Sequence, residues 1–290
     1  VQRAILIPAG LAVTAALCLS VTACRGEPPQ AVGPTSTPSS SAVPSSPEQS
    51  ATVLVPEPTF AEVGLAGEPV GPCDHLLWPL RDGASWTYQS ADGSQVTLTS
   101  RVTGAGALLT VGGQSGLLNC LNGALAGLPP GPFGTGHPAL GYGLQGLNPS
   151  GSFLPAPALL LPLGTSSNWD MGVDAAGTIL LPGLGQSASL PVLGGKIVFY
   201  SVAESPETIT VPGGTYHALP VSQQVFYDIE VGLPDGTRQQ AIVSTTARLY
   251  FVERLGLAKI IFEGGVISTP AGTGELESGL VLELVSYAIP

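Results

Sequence analysis

Positive charge is scarce in this chain. Of 290 residues only 9 are Lys or Arg, against 20 acidic residues, for a formal net charge of −11. Such a surface repels a phosphate backbone and argues against nucleic-acid binding. It also offers no polybasic patch to help adhesion to anionic lipid. Histidine is nearly as rare, with only His75, His137 and His217. No phosphate loop or dinucleotide fingerprint occurs. Helix formers have little room, because 39 Gly and 28 Pro interrupt nearly every candidate helix.

The N-terminus carries the first positive signal. Arg3 precedes an apolar run over residues 4–19, interrupted by Pro8 and Gly10, and small residues then lead to Cys24. This is the anatomy of a secretory signal and not of a permanent transmembrane helix. Leu19-Ser20-Val21-Thr22-Ala23-Cys24 resembles a bacterial lipobox. That resemblance implies cleavage before Cys24, giving a signal peptide at 1–23, and a diacylglycerol on the Cys24 thiol. Val1 reads as a literally translated alternative start codon, which fits a bacterial gene. Loss of Arg3 with the signal makes the acidic excess larger, so lipid on Cys24 alone is expected to hold the protein at a membrane.

Residues 24–71 read as a lipid-anchored linker. From Arg25 to Pro58 the chain is rich in Pro, Ser, Thr and Ala and has no aromatic residue. It cannot bury enough apolar surface to offset its ordering entropy, so a disordered tether is expected. About 34 such residues reach roughly 30 to 100 Å between the coil and polyproline limits.

Residues 72–290 read as one all-β domain, mostly antiparallel. Expected strands lie at 84–90, 95–103, 107–111, 116–121, 196–203, 207–211, 215–231, 238–252, 257–262 and 275–289. Asp92-Gly93, Gly112-Gly113 and Asp235-Gly236 supply hairpin turns. In 95–103, Val96, Leu98 and Val102 share one face, opposite Thr97, Thr99 and Arg101. Val243, Thr245, Ala247, Leu249 and Phe251 form an inward face of 238–252. Strands this long favour a curved, strongly twisted sheet over a compact sandwich. A repeat, L-L-x-P-L followed by five residues and Trp, occurs at Leu76–Trp86 and again at Leu159–Trp169. Turns are expected after each copy, at Asp92-Gly93 and Ala176-Gly177. The pattern predicts two related halves, each with a buried tryptophan.

Chemistry has few candidates. Cys18 leaves with the signal and Cys24 is committed to lipid, so Cys73 and Cys120 remain. Outside the cytoplasm such a pair most simply forms a disulfide. A metal site on Cys73, Asp74 and His75, completed by His137 or His217, and a pair of free thiols are the alternatives. Gly113-Gln114-Ser115-Gly116-Leu117 approaches a nucleophile elbow but lacks its last glycine and sits between strands. A Ser115, His217 and Asp228 triad can be drawn, and Glu204, Glu207, Asp228, Glu230, Glu253 and Glu263 are carboxylates in strand or turn contexts. None of these patterns specifies a reaction, so no catalytic residue, metal or cofactor is assigned.

Three stretches resemble a group of poorly characterised bacterial envelope lipoproteins and periplasmic proteins. The P-L-x-x-G-x-x-W-x-Y opening is matched by Pro79-Leu80-Arg81-Asp82-Gly83-Ala84-Ser85-Trp86-Thr87-Tyr88. A V-P-[AG]-G-T-[FY] turn is matched by Val211-Pro212-Gly213-Gly214-Thr215-Tyr216, and a late strand start by Gly256-Leu257-Ala258-Lys259-Ile260. The resemblance covers about 76–288 with gaps. It implies a fold similar to the half-barrels of lipoprotein carriers, whose concave face is apolar. Those carriers cover their groove with helices, and this sequence offers no good helix. No catalytic residue comes with the resemblance.

The expectation is therefore a non-enzymatic, lipid-anchored protein on the extracytoplasmic face of a membrane. Its curved sheet would bind an apolar ligand or an envelope protein. Residues 138–163, almost uncharged and ending in the apolar run 153–163, are expected either to lie across the mouth of the sheet as a lid or to form a buried connection. An extracellular hydrolase acting on cell-wall material is the alternative.

Overall fold

The structure is a computed structural model, and it describes residues 71–104, 106–121, 124–140, 143–150, 168–181, 189–270 and 272–290. All of these belong to the second of the two units into which the chain divides, 1–56 and 57–290. The lipobox-like segment, Cys24, the linker up to residue 70, the apolar run 153–163 and the second repeat's Leu159–Leu163 lie outside the described residues. Among the described residues no helix is long and apolar enough to cross a membrane.

Among the described residues sixteen strands follow one another: β1 (Asp74–His75), β2 (Trp78–Pro79), β3 (Ser85–Ser90), β4 (Gln95–Thr103), β5 (Gly106–Val111), β6 (Gln114–Leu121), β7 (Ala124–Gly127), β8 (Gln145–Ser150), β9 (Asn168–Leu180), β10 (Ser189–Ala203), β11 (Glu207–Val211), β12 (Gly214–Gly232), β13 (Arg238–Val252), β14 (Gly256–Thr269), β15 (Gly272–Leu276) and β16 (Leu280–Ala288). β1 and β2 pair with each other. The rest form one sheet in the order β7-β6-β5-β4-β3-β16-β14-β13-β12-β10-β9-β8, with β11 added to β12 and β15 to β14. Every pairing is antiparallel, as in the central β12–β13 and β10–β12 ladders.

The sheet curls until its two ends, β7 and β8, lie beside each other. A Cβ at Gly146 in β8 would come within 2.9 Å of Leu128, just past β7. Two features drive the curl. The strands are long, up to the 19 residues of β12, so twist accumulates along them. Bulges also interrupt the ladders at Val192/Gly194, Thr246/Ala247, Tyr250/Phe251 and Leu284/Ser286, and each adds bend. The all-β, antiparallel, curved sheet expected from the sequence is present, rolled further than a half-barrel into a nearly closed one.

The alternations hold. In β4, Leu98 and Ser100 are buried, Val96 and Val102 half-buried, and Thr97, Thr99 and Arg101 exposed. In β13, Val243, Thr245, Ala247, Leu249 and Phe251 are all buried. Hairpin turns join β3 to β4 and β12 to β13, with Gly93 at φ 84° and Gly236 at φ 83°.

Several expectations need correction. Ala176-Gly177 is not a turn but lies inside β9, opposite the bulge between Val192 and Lys196 of β10. Residues 275–289 form two strands, β15 and β16, because Gly279 adopts φ 79° between them. The repeat does not divide the sheet into matched halves. Trp86 and Trp169 each stand second in their strand, but Trp86 is completely buried and Trp169 only half-buried. Five consecutive strands, β3–β7, flank one side of β16, whereas β8–β14 make up the other.

Candidate functional site

Residues 128–140, which follow β7, occupy space inside the curled sheet. This strap is buried almost throughout, although it contains only a single turn of 3-10 helix at Gly131–Phe133. Side chains from across the sheet hold its backbone. The Tyr227 hydroxyl donates to the Thr135 carbonyl at 2.6 Å, and Thr245 Oγ1 donates to the same oxygen at 3.3 Å. Thr135 Oγ1 lies 2.7 Å from the His137 carbonyl and 3.2 Å from that of Gly131. His137 Nδ1 accepts the Ala139 N–H at 3.1 Å, so Nε2 must carry the proton that it donates to the Glu277 carbonyl at 2.8 Å. Phe133 packs on Tyr88 with 5.0 Å between ring centres, and His137 meets Phe262 edge-on at 6.0 Å. Burial pushes the Tyr227 phenol well above its usual range, so it stays a protonated donor.

Among the described residues this strap lies on the inner face at β12, β13, β14 and β3. The gap bounded by Trp78, Phe133, Trp169, Val221, Gln223, Leu249, Phe251 and Leu257 has a free volume of ≈ 10 Å³, room for about one water molecule. The apolar inward face read from β12 and β13 exists, but the chain's own residues 128–140 lie on it. That occupancy begins ten residues before the lid expected at 138–163. At Gly136, with φ +62°, a Cβ would stand 2.6 Å from Thr245 Oγ1 and 2.9 Å from Val225 Cγ2. Gly136→Ala is therefore expected to cost about 2–3 kcal/mol through left-handed strain and overpacking. A shifted urea midpoint would show it, and an unchanged midpoint would mean that the strap is not packed there.

The three motif stretches turn out to join the sheet together. β16 pairs with β14 only as far as Lys259↔Glu283, but runs on beside β3 to Ala288↔Ser85. The start of β14 is thus left without a ladder on that side. Trp86 Nε1 donates to the Leu255 carbonyl at 2.7 Å and the Tyr88 hydroxyl to that of Leu257 at 2.9 Å, closing the gap with side chains. Gly256 (φ +112°) lies under the indoles, where a Cβ would sit 3.0 Å from Trp78 and 3.2 Å from Trp86 Nε1. The Val211–Tyr216 turn joins β11 to β12 and docks on β16: Gly213 N donates to the Leu284 carbonyl at 2.8 Å, and the Tyr216 hydroxyl donates to the Gly213 carbonyl at 2.6 Å.

Cys73 and Cys120 form a disulfide, with Cα atoms 5.0 Å apart. The neighbouring groups weighed as metal ligands are engaged elsewhere: Asp74 pairs with Arg81 at 2.8 Å, and His75 Nδ1 accepts the Leu77 N–H at 3.0 Å. Among the described residues no group of three His, Cys, Asp or Glu side chains is placed to hold a metal ion.

The drawn triad does not assemble. His217 and Asp228 lie eleven residues apart along β12, about 36 Å at the usual rise per residue. Ser115 contacts Thr110 Oγ1 at 2.9 Å, and Asp228 accepts from Gln240 at 2.7 Å. Of the carboxylates, Glu204 forms an ion pair with Arg248 and accepts from Ser222 at 2.6 Å, while Glu207 lies 3.9 Å from the same guanidinium. Glu230 and Glu253 face Arg238 and Arg254 at 3.6 and 3.8 Å, and Glu263 is exposed. Glu204, Glu207, Glu230 and Glu253 are thus ion-paired with arginines and are not arranged as a pair of carboxylates facing each other across a cleft.

Comparisons with known proteins add little to this geometry. The chain matches no protein-family model and no curated protein. Among solved structures, a protein of Bacteroides fragilis described as exported and of YmcC-like fold is 12% identical, with a TM-score of 0.36 over 74% of this chain and 100% of its own. A protein of Parabacteroides distasonis described as a lipoprotein is 10% identical, with the same TM-score of 0.36 over 74% of this chain and 99% of its own. Likenesses this slight transfer neither fold nor activity.

Proposed function

We propose that this is a non-enzymatic lipoprotein, anchored through Cys24 on the extracytoplasmic face of a membrane, whose β domain engages a component of the cell envelope with its outer surface. The observation that carries this reading is the strap over residues 128–140, which lies on the apolar face that a carrier would keep open. Polar pegs at Thr135 and His137 tie it down from three strands or loops, so a ligand would have to break several buried hydrogen bonds to enter. The lipobox-like segment and the Pro/Ser-rich linker support the anchor and the reach.

Cys24→Ser tests the anchor. The variant is expected in the soluble fraction or stalled with its signal uncut, whereas a properly cut variant that stays with the membrane would remove lipid from the account. A fluorescent fatty-acyl probe titrated into the released protein tests the closed interior. No saturable binding is expected, and saturable binding would restore the carrier reading.

A further inference from the structure

We propose that a cleft on the outer face, between β14, β16, the end of β3 and the β11–β12 turn, binds a neutral saccharide. This rests on the outer surface being the working face, and names the class of envelope component that it takes. The cleft has a volume of ≈ 380 Å³, within the roughly 300–1,000 Å³ usual for small-molecule sites.

Its floor follows from strand register. Lys259 lies opposite Glu283, and Glu283 opposite Gln89, so three neighbouring strands present an ammonium, a carboxylate and an amide in one row. Gln95 of β4 continues the row, its Nε2 3.5 Å from Gln89 Oε1. Pro212 overhangs the row as a wall, held there by the bond from Gly213 N to Leu284. Val281 supplies an apolar patch of floor two residues from Glu283.

The chemistry selects the ligand. Lys259 Nζ and Glu283 Oε1 are 2.7 Å apart with side chains 22% and 31% exposed, so the cleft is charge-balanced and its polar groups are held in place by packing. Within the row the two charges neutralise each other, and the carboxylate of Asp92, bonded to Ser90 at the rim, turns an anion away. Vicinal hydroxyls instead find a donor, an acceptor and an amide that is both, while Val281 and Pro212 face the apolar C–H surface of a sugar ring. The acidic excess of the whole chain further disfavours anionic polymers.

The test is calorimetric titration of the full-length chain with N-acetylglucosamine oligomers, maltooligosaccharides and, as an anionic counterpart, galacturonate oligomers. Saturable binding of at least one neutral series is expected. Glu283→Gln should weaken it about tenfold by removing a charged acceptor. Ala91→Trp, a substitution at an exposed residue of the rim, should block the cleft and abolish binding with an unchanged melting temperature. The proposal is overturned if no neutral saccharide binds, if both variants bind like the wild type, or if the anionic series binds better. The acyl-probe titration and the Cys24→Ser fractionation have separate readouts, so failure of the saccharide site is distinct from failure of the outer-surface or anchor readings.

Discussion

Trp86→Ala is expected to destabilise the domain by about 3–5 kcal/mol, the cost of truncating a large aromatic side chain in a packed core. In a domain of this size each kcal/mol lowers Tm by roughly 2–4 °C, so a drop on the order of 10 °C should be seen by circular dichroism. Two losses add at this position. The side chain is completely buried, and its Nε1 is the donor to the Leu255 carbonyl at 2.7 Å, just before the start of β14 that has no ladder on the β16 side. Trp86→Phe separates the two by keeping most of the ring and leaving the carbonyl unpaired, at about 1–3 kcal/mol. Tyr88→Phe tests the companion bond to Leu257 with almost no change in volume. A Trp86→Ala protein that melts within a degree of wild type would show that the indole does not bridge the split between β16 and β14.

Removing the Cys73–Cys120 bridge, by reductant or as the Cys73→Ala/Cys120→Ala pair, is expected to cost about 4 kcal/mol on the chain-entropy model for the sequence separation of 47. The bridge ties the residue before β1 to β6, the strand beside the sheet's end strand β7, so the seam where β7 meets β8 should loosen first. Intact mass with and without reductant should differ by two hydrogen atoms in protein isolated under non-reducing conditions. Reductant should lower the unfolding midpoint of the wild type and leave the double variant unmoved. Equal responses from both proteins would place the effect elsewhere.

Local patterns made much of the sheet readable. Strands 95–103, 207–211 and 238–252 match β4, β11 and β13 to the residue, because β-branched alternation is bounded at each by a turn residue that interrupts pairing. β9 went unread for the opposite reason. Asp170, Gly172, Asp174 and Gly177 break its pattern, yet Asp170 is buried within a full ladder to β10. β10 pairs along both ends of β9 and β8 joins it from Gly172 to Ala176, so backbone pairing overrides the broken side-chain pattern. The disulfide was accessible by elimination, since two cysteines remained for an oxidising compartment.

The sequence by itself determined the β class, the turns that set strand register and the apolar inward faces, since these depend on neighbours two to ten residues apart. Whether those faces stay open was decided only in three dimensions. Residues 128–140 have no periodicity, and nothing in their spacing marks them for the interior. They are buried because Tyr227, Thr245 and Glu277, 92 to 140 positions away, supply the partners that make burying their backbone affordable. The row of Lys259, Glu283 and Gln89 has the same origin: three residues on separate strands share a surface only once β16 is laid between β14 and β3, and no spacing along the chain encodes that placement.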